Sequence, residues 1–223
     1  AKKYFSRNIL EDQEGGFYSI MIPKSVEYKN SDYVYIDHMD SLMHRTSHQI
    51  LNLKKGQKRL RYEYLIEQNE KLWLFCSFSA KKEQKNTLYI QELNKRSWQR
   101  IGELKKIAEI KYNSDKDPGQ FHFTYSAVGN DFLVFAQPPI SSSTGLQVDM
   151  IVLDGDFNIK ETQHVAWNIQ VGSIKFKNVF YDGEHLVFFA HQLVSQEYIF
   201  YYRNSKEQKL KRFVVTGKGK SIS

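Results

Sequence analysis

Pairs of apolar strands recur four times along the chain, and that recurrence constrains the fold more than any single motif. The pairs read FYSIMIP…YVYID from Phe17, LWLFCSF…TLYIQEL from Leu72, FLVFAQP…DMIVLD from Phe132 and LVFFAHQ…YIFYY from Leu186, so successive modules start 54–60 residues apart. A period of that length, filled with strands, predicts stacked four-stranded modules of the kind that form β-propeller blades. The expected fold is all-β and β-propeller-like, with about four four-stranded antiparallel blades. These blades are either a complete set or part of a larger propeller.

Each module reads as four strands. In the second they are RLRYEYLIE (59–67), KLWLFCSFS (71–79), NTLYIQEL (86–93) and SWQRIGELKKI (97–107). Their turns, Gln68-Asn69-Glu70 and Asn94-Lys95-Arg96, are short and polar, as antiparallel hairpins require. The third module runs 120–127, 131–137, 148–154 and 158–167, with Gly129-Asn130 and Gly155-Asp156 in its turns. The fourth runs 173–181, 185–192, 197–203 and 209–216, with Asp182-Gly183 as its first turn. The first is the least regular: KYFSRNILE, GFYSIMIP, DYVYIDHM and RTSHQILNL. The second strand of each module is nearly continuously apolar and the outer strands alternate, which predicts inner strands covered on both faces. A double-sheet sandwich would also give alternating outer strands, but not so regular a period.

The modules therefore cover about 1–55, 56–115, 116–170 and 171–216 of a single domain spanning 1–223. Glycine-containing turns at Gly56, Gly119 and Gly172 precede each later first strand, and the last residues, from Gly217, match the opening of a fifth module. Two explanations compete: the first half of a longer propeller, or a four-bladed ring in which Ile222 pairs near Tyr4–Ile9. The first is favoured because the opening module already carries its own first strand.

Composition fits this class. The chain is 41% hydrophobic and 14% aromatic, with 14 Tyr and 15 Phe, which is enough for a packed core of half-buried pleated surfaces. The formal charge of +7 comes from 32 basic and 25 acidic residues. The basic residues lie in turns (Lys54, Lys55, Lys58, Arg59; Lys81, Lys82, Lys85; Lys209, Lys211, Arg212), and acids such as Glu83, Glu103, Glu109 and Glu207 interrupt them. That is the pattern of solubilising loops, not of a nucleic-acid face, which concentrates charge beside stacking aromatics. Cys76 is the one cysteine, so no intrachain disulfide can form. Its place inside LWLFCSF predicts a buried thiol. The chain opens at Ala1, which fits a cleaved signal peptide or a shortened chain equally. No apolar run approaches the roughly 18 residues of a membrane span.

The phrases GGFYSIMI, KLWLFCSFSAKKEQKNTLYIQELN, IGELKKIAEI and GQFHFTYSAVGNDFLVF…DMIVLDGDFNIKETQHV resemble uncharacterised propeller-like repeat proteins of the Bacteroidetes cell envelope. In those proteins a turn such as Asp154-Gly-Asp-Phe-Asn-Ile recurs as D-x-x-[FL]-N-[IL] between the outer strands. The resemblance covers about residues 11–215. It implies a secreted or periplasmic protein, often longer than this chain, and transfers no site residues.

Candidate sites are few. His38, His44 and His48 form the one histidine cluster, with Asp37 and Asp40 beside it. A helix would place His44 and His48 together for zinc, whereas a strand would set them about 13 Å apart, too far for one metal. The stretch reads as strand, hairpin, strand. Asp154-Gly-Asp-Phe-Asn-Ile spaces carboxylates like the start of a calcium loop but lacks the later glycine and terminal glutamate, so a hairpin turn is expected. Glu63, Glu67, Glu92 and Asp149 are the carboxylates on strands, and nothing in their spacing makes two of them converge. No Gly-x-Ser-x-Gly, phosphate-cradling loop or HExxH is present. No catalytic, cofactor-binding or metal residue is assigned.

Two binding features remain. The insertion PPISSSTGLQ, through Pro138, Pro139, Ser141, Ser142, Ser143 and Thr144, stops a strand and cannot pack a core, so it is a candidate recognition loop. Trp98 and Trp167 fall on outermost strands and are candidate surface aromatics if exposed; packing against the adjacent blade is the competing and favoured reading. The expected function is a non-catalytic protein-interaction or scaffold module of the bacterial cell envelope, presenting loops and strand edges to a protein partner within an outer-membrane-associated complex. No nucleic-acid partner and no cofactor are expected. The alternative is a glycan-binding or glycan-cleaving propeller, which would require exposed Trp or Tyr beside paired carboxylates.

Overall fold

A computed structural model describes residues 4–12, 14–23, 32–56, 58–114, 117–126, 131–139, 146–167, 174–182, 185–192, 197–204 and 211–215 of the 223-residue chain. For 4–8, 23, 146, 167, 174–177, 192, 203 and 204 it describes the backbone alone. The chain is all-β, and its one helical element among the described residues is a 3-10 turn at Lys81–Glu83.

Each predicted module is one four-stranded sheet whose strands pair in chain order. The first sheet holds β1 (Tyr4–Glu11), β2 (Phe17–Pro23), β3 (Tyr33–Met39) and β4 (Arg45–Asn52). A two-stranded ribbon follows, β5 (Lys54–Lys55) and β6 (Lys58–Arg59). The second sheet holds β7 (Arg61–Gln68), β8 (Lys71–Ala80), β9 (Lys85–Leu93) and β10 (Arg100–Lys111). The third holds β11 (Gln120–Tyr125), β12 (Phe132–Gln137), β13 (Leu146–Leu153) and β14 (Ile159–Trp167). The fourth holds β15 (Ile174–Tyr181), β16 (His185–Gln192), β17 (Glu197–Asn204) and β18 (Lys211–Val215).

Two local departures from the sequence expectation have clear causes. Lys58 and Arg59 belong to the ribbon and not to the opening strand of the second sheet. Gly56, at φ 60°, folds the chain back so that Lys54 pairs with Arg59 and the Leu60 amide donates to the Leu53 carbonyl at 3.1 Å. The opening strands also bulge at charged residues. The register skips Arg7 in β1, Glu63 in β7 and Lys177 in β15, so an extra residue leaves the pleat at the same place in three sheets.

The chain divides into two compact units, residues 1–109 and 110–223. In the first unit, Ile20, Val34 and Ile36 of the first sheet and Leu65, Leu72 and Leu74 of the second are all buried in one cluster. Leu53 and Leu60, at the base of the ribbon, join it. In the second unit, Leu133, Phe135 and Met150 of the third sheet pack with Phe188, Ala190 and Ile199 of the fourth. Phe135 and Phe188 meet edge to face at 5.8 Å. The middle strands behave as their apolar runs require: all six residues of β12 are buried, on both faces of its sheet.

Gly119 shows how tightly the second unit begins. At φ 78°, a Cβ there would lie 2.5 Å from the Gln137 carbonyl oxygen and 2.8 Å from an Ile110 methyl, so only glycine fits. No helix of the described residues is long and apolar enough to cross a membrane.

Candidate functional site

Three hairpin turns, two in the first sheet and one in the third, use one device. Asp12, Asp40 and Asp154 each occupy the last position before a turn, and each turns its Oδ1 back onto the loop. It accepts the amides of Glu14 and Gly16 at 2.9 and 2.6 Å in the first case, and of Leu42 and His44 at 2.9 and 2.8 Å in the second. In the third it accepts those of Asp156 and Asn158 at 2.9 and 2.8 Å. The residue two positions before the returning strand then takes positive φ: Gly15 at 87°, Met43 at 67° and Phe157 at 56°. This is a three-residue hairpin loop closed by an Asx turn. The Asp154 carboxylate, spaced like a calcium ligand in the sequence, is consumed by its own loop, with Asn158 Nδ2 reaching its second oxygen at 3.3 Å.

In the first sheet this device feeds a longer polar line. Asp12 Oδ2 lies 2.5 Å from His38 Nε2, and His38 Nδ1 lies 2.5 Å from Thr46 Oγ1. Thr46 gets there through a bulge: the register jumps from His38 opposite Ser47 to Met39 opposite Arg45, which leaves Thr46 as the extra residue. Burial opposes ionisation of Asp12. Hydrogen bonds from His38 and the Gly16 and Glu14 amides, with the charge of His38, outweigh it and hold the carboxyl below its usual range. Tyr18 lies tilted against His38, ring centres 4.7 Å apart, and burial, then Glu67 and Asp12, push its hydroxyl up. A carboxylate–imidazole–hydroxyl line is the polar geometry of a general base, but the Thr46 hydroxyl also donates to the His38 carbonyl at 3.3 Å. The line therefore ties the β1–β2 turn to the β3–β4 hairpin. Neither Asp12 nor Thr46 stood out in the sequence. A bulge that brings a threonine under a histidine leaves no signature in spacing.

The three clustered histidines part company. β3 and β4 are strands, so His38 and His48 lie on opposite faces of the first sheet. His48 bonds Asp37 at 2.5 Å, and His44, in the turn, sits 3.5 Å from Asp40. Among the described residues no three His, Cys, Asp or Glu side chains gather to hold a metal. The strand carboxylates are likewise engaged one by one. Glu63 takes Arg61 and the Ser77 hydroxyl at 2.5 Å each, Glu92 takes Lys71 at 3.2 Å, and Asp149 takes His164 at 2.7 Å. Glu67, buried at the end of β7, pairs with Lys95. The basic turns are paired too, with Lys54 and Arg59 on Asp32 and Lys55 on Glu103. Cys76 is buried, and that burial first of all pushes its thiol up to about 12.

Trp98 corrects the sequence expectation of a surface aromatic. It lies in the β9–β10 turn and not on the outer strand, at φ 57°, with its amide bonded to the Asn94 carbonyl at 2.8 Å. That left-handed backbone swings the indole inward. It is 7% exposed and meets Tyr18 edge to face at 5.5 Å. Pro138 and Pro139 are half-buried at the end of β12. Ser141, Ser142, Ser143 and Thr144, and the Trp167 side chain, lie outside the described residues, as do Gly129-Asn130, Gly183 and residues 217–223.

The surface that the sequence missed is one face of the fourth sheet. Pairing puts Phe180 opposite Val187 and Val187 opposite Tyr202, then Phe189 opposite Phe200 and Phe200 opposite Phe213, and Tyr198 opposite Val215. All of these share the face turned away from Phe188 and Ile199. Phe189 contacts Tyr198 at 5.4 Å and Phe200 at 4.9 Å, so the rings form one aromatic sheet surface. It is open: Phe180 is 50%, Phe213 55% and Val215 51% exposed. Every residue of β18 is exposed, an edge strand with apolar side chains on both faces. Alternation alone shows which residues share this face, but not that nothing from the described chain lies over it. The chain matches no protein-family model and no curated protein.

Proposed function

We propose that this chain is a non-catalytic interaction module of the bacterial cell envelope, whose four-stranded sheets act as blades of a propeller-like stack. The observation that carries it is the open aromatic face of the fourth sheet, from Phe180 across to Phe213 and Val215. Large contiguous apolar surfaces on otherwise charged proteins mark contact sites. A pleated face ringed by Tyr and Phe suits burial against another protein surface. Rigid presentation by a hydrogen-bonded sheet keeps the entropy of ordering low on binding. Glu63, Glu67, Glu92 and Asp149 are each held by a neighbouring side chain, a structural use of the carboxylates that favours binding over hydrolysis. Placement in the envelope of a Bacteroidetes bacterium rests on the sequence resemblance.

The test is retention of envelope proteins on the immobilised chain, wild type against Phe180→Asp/Phe213→Asp. A panel of soluble polysaccharides is assayed in parallel for binding and reducing-end release. One envelope protein retained by the wild type and lost by the double variant, with no polysaccharide cleaved, is expected. Cleavage, or polysaccharide binding untouched by the double variant, would overturn the proposal in favour of a glycan-directed propeller.

A further inference from the structure

We infer that a pocket along the free edge of β4 takes the C-terminal carboxylate of a polypeptide, held by Arg100. This goes beyond the fourth-sheet interaction surface and stands whether or not that surface has an occupant.

β4 is the last strand of the first sheet, and among the described residues β3 is the one strand paired with it. A pocket of about 390 Å³ is lined by residues 49–52 of β4, by Lys54, and by residues 97–100, which end the β9–β10 turn and open β10. All of these belong to the first compact unit. Consecutive residues of a strand point to opposite faces, so a pocket that touches four in a row runs along the strand's edge and not over one face. β3 occupies the other edge. The free edge offers backbone N–H and C=O groups with which an extended peptide can pair.

Arg100 supplies the charge. Its Nη2 donates to the Asn52 carbonyl at 2.8 Å, and Nη1 reaches the Lys54 carbonyl at 3.5 Å. These are its hydrogen bonds among the described residues, and neither acceptor is charged. Burial holds the guanidinium below its usual value, as expected of a half-buried cation bonded to neutral groups. With two of its five N–H groups anchoring it, three remain, enough for a two-point bond to a carboxylate.

The charge balance selects the ligand. No acidic side chain lines the pocket, and the other cation in its wall, Lys54, is paired with Asp32 at 2.9 Å. One unbalanced positive charge matches a carboxylate and not a dianionic phosphate. The remaining polar side chains, among them Gln49 and Gln99, are neutral and can bond peptide amides. Ile50, 59% exposed, offers an apolar contact to the last side chain of the peptide. Arg100 is anchored at Asn52, the end of β4, so the bound peptide ends there and runs parallel to that strand.

The test titrates the 223-residue chain by calorimetry with the tripeptide acetyl-Ala-Ala-Leu as free acid. The free acid is expected to bind at least tenfold more tightly than the same peptide with a C-terminal amide. Arg100→Lys keeps the charge but loses the planar fork, and should weaken binding of the acid at least fivefold. Gln49→Glu leaves Arg100 and both of its carbonyls in place and gives the pocket a carboxylate of its own. It should abolish binding with an unchanged circular dichroism spectrum, which keeps the test decisive if Arg100→Lys fails to fold. Equal binding of acid and amide, binding of neither, or binding of the acid that survives Gln49→Glu overturns the inference. Inorganic phosphate that competes as well as the peptide would make the pocket a plain anion site. An amidated peptide with an internal glutamate that binds as tightly as the free acid would put an acidic side chain in place of the chain terminus. Either result overturns the assignment to a C-terminus.

Discussion

The two faces of the fourth sheet are built from the same residue types and have opposite fates. Phe188, Ile199 and Tyr201 on one side are buried against the third sheet, while Phe180, Tyr198 and Phe213 on the other stand 44–55% exposed. Aromatic residues stand on both sides, so their presence alone does not explain the difference. What differs is whether a partner sheet is present, because the hydrophobic effect acts only where apolar area leaves water. The hairpin turns repeat the contrast on a smaller scale. Met43 and Phe157 hold the same left-handed position in matching Asx-closed loops, yet Met43 is 70% exposed and Phe157 is fully buried against Phe132.

The largest expected effect lies on the covered face. Phe188→Ala removes an edge-to-face contact with Phe135 and leaves a cavity, and should lower stability by about 3–5 kcal/mol in denaturant titration. A loss below about 1 kcal/mol would erase the distinction between the two faces. Next come the turns: Phe157→Ala should cost about 3 kcal/mol and Met43→Ala less than about 0.5. Equal losses would mean that the loop backbone, and not the buried ring, sets the energy.

Asp12→Ala should cost roughly 1–3 kcal/mol by releasing two amides and His38. Its pH dependence has a definite sign. The Asp12 carboxyl is held below its usual range in the folded chain, so its contribution is complete above the unfolded value of about 3.9 and is lost as pH falls through the folded value. The variant should therefore show a shallower fall in stability below about pH 4, followed by circular dichroism. The smallest effect is chemical: with its thiol pushed up to about 12, Cys76 should resist iodoacetamide at pH 8 until denaturant is added. Rapid native labelling would show that the inner face of β8 is open.

Strand positions were legible in the sequence wherever two independent signals agreed. The inner strands LWLFCSF and FLVFAQ are too uniformly apolar for anything but burial on both faces, and their polar turns bracket them. The meander order followed from hairpin-length connections. Trp98 was misplaced because a tryptophan at positive φ is rare, although Asn94, whose Oδ1 accepts the Arg96 and Ser97 amides, closes the turn that it ends. The Asp12–His38–Thr46 line depended on a bulge, and register shifts of one residue have no periodic trace. The open face was invisible for a deeper reason: alternation reports which side chains share a side, and says nothing of what covers it.

The most direct test of the open face is thermal unfolding of Phe180→Asp/Phe213→Asp beside the wild type at a concentration where both are monomeric. If that face meets water in the lone chain, the midpoints should agree within about 2 °C and the far-ultraviolet spectra should coincide, because a surface change contributes within about 0.5 kcal/mol. A midpoint lowered as far as that of Phe188→Ala would place the face in the core and contradict the interaction surface.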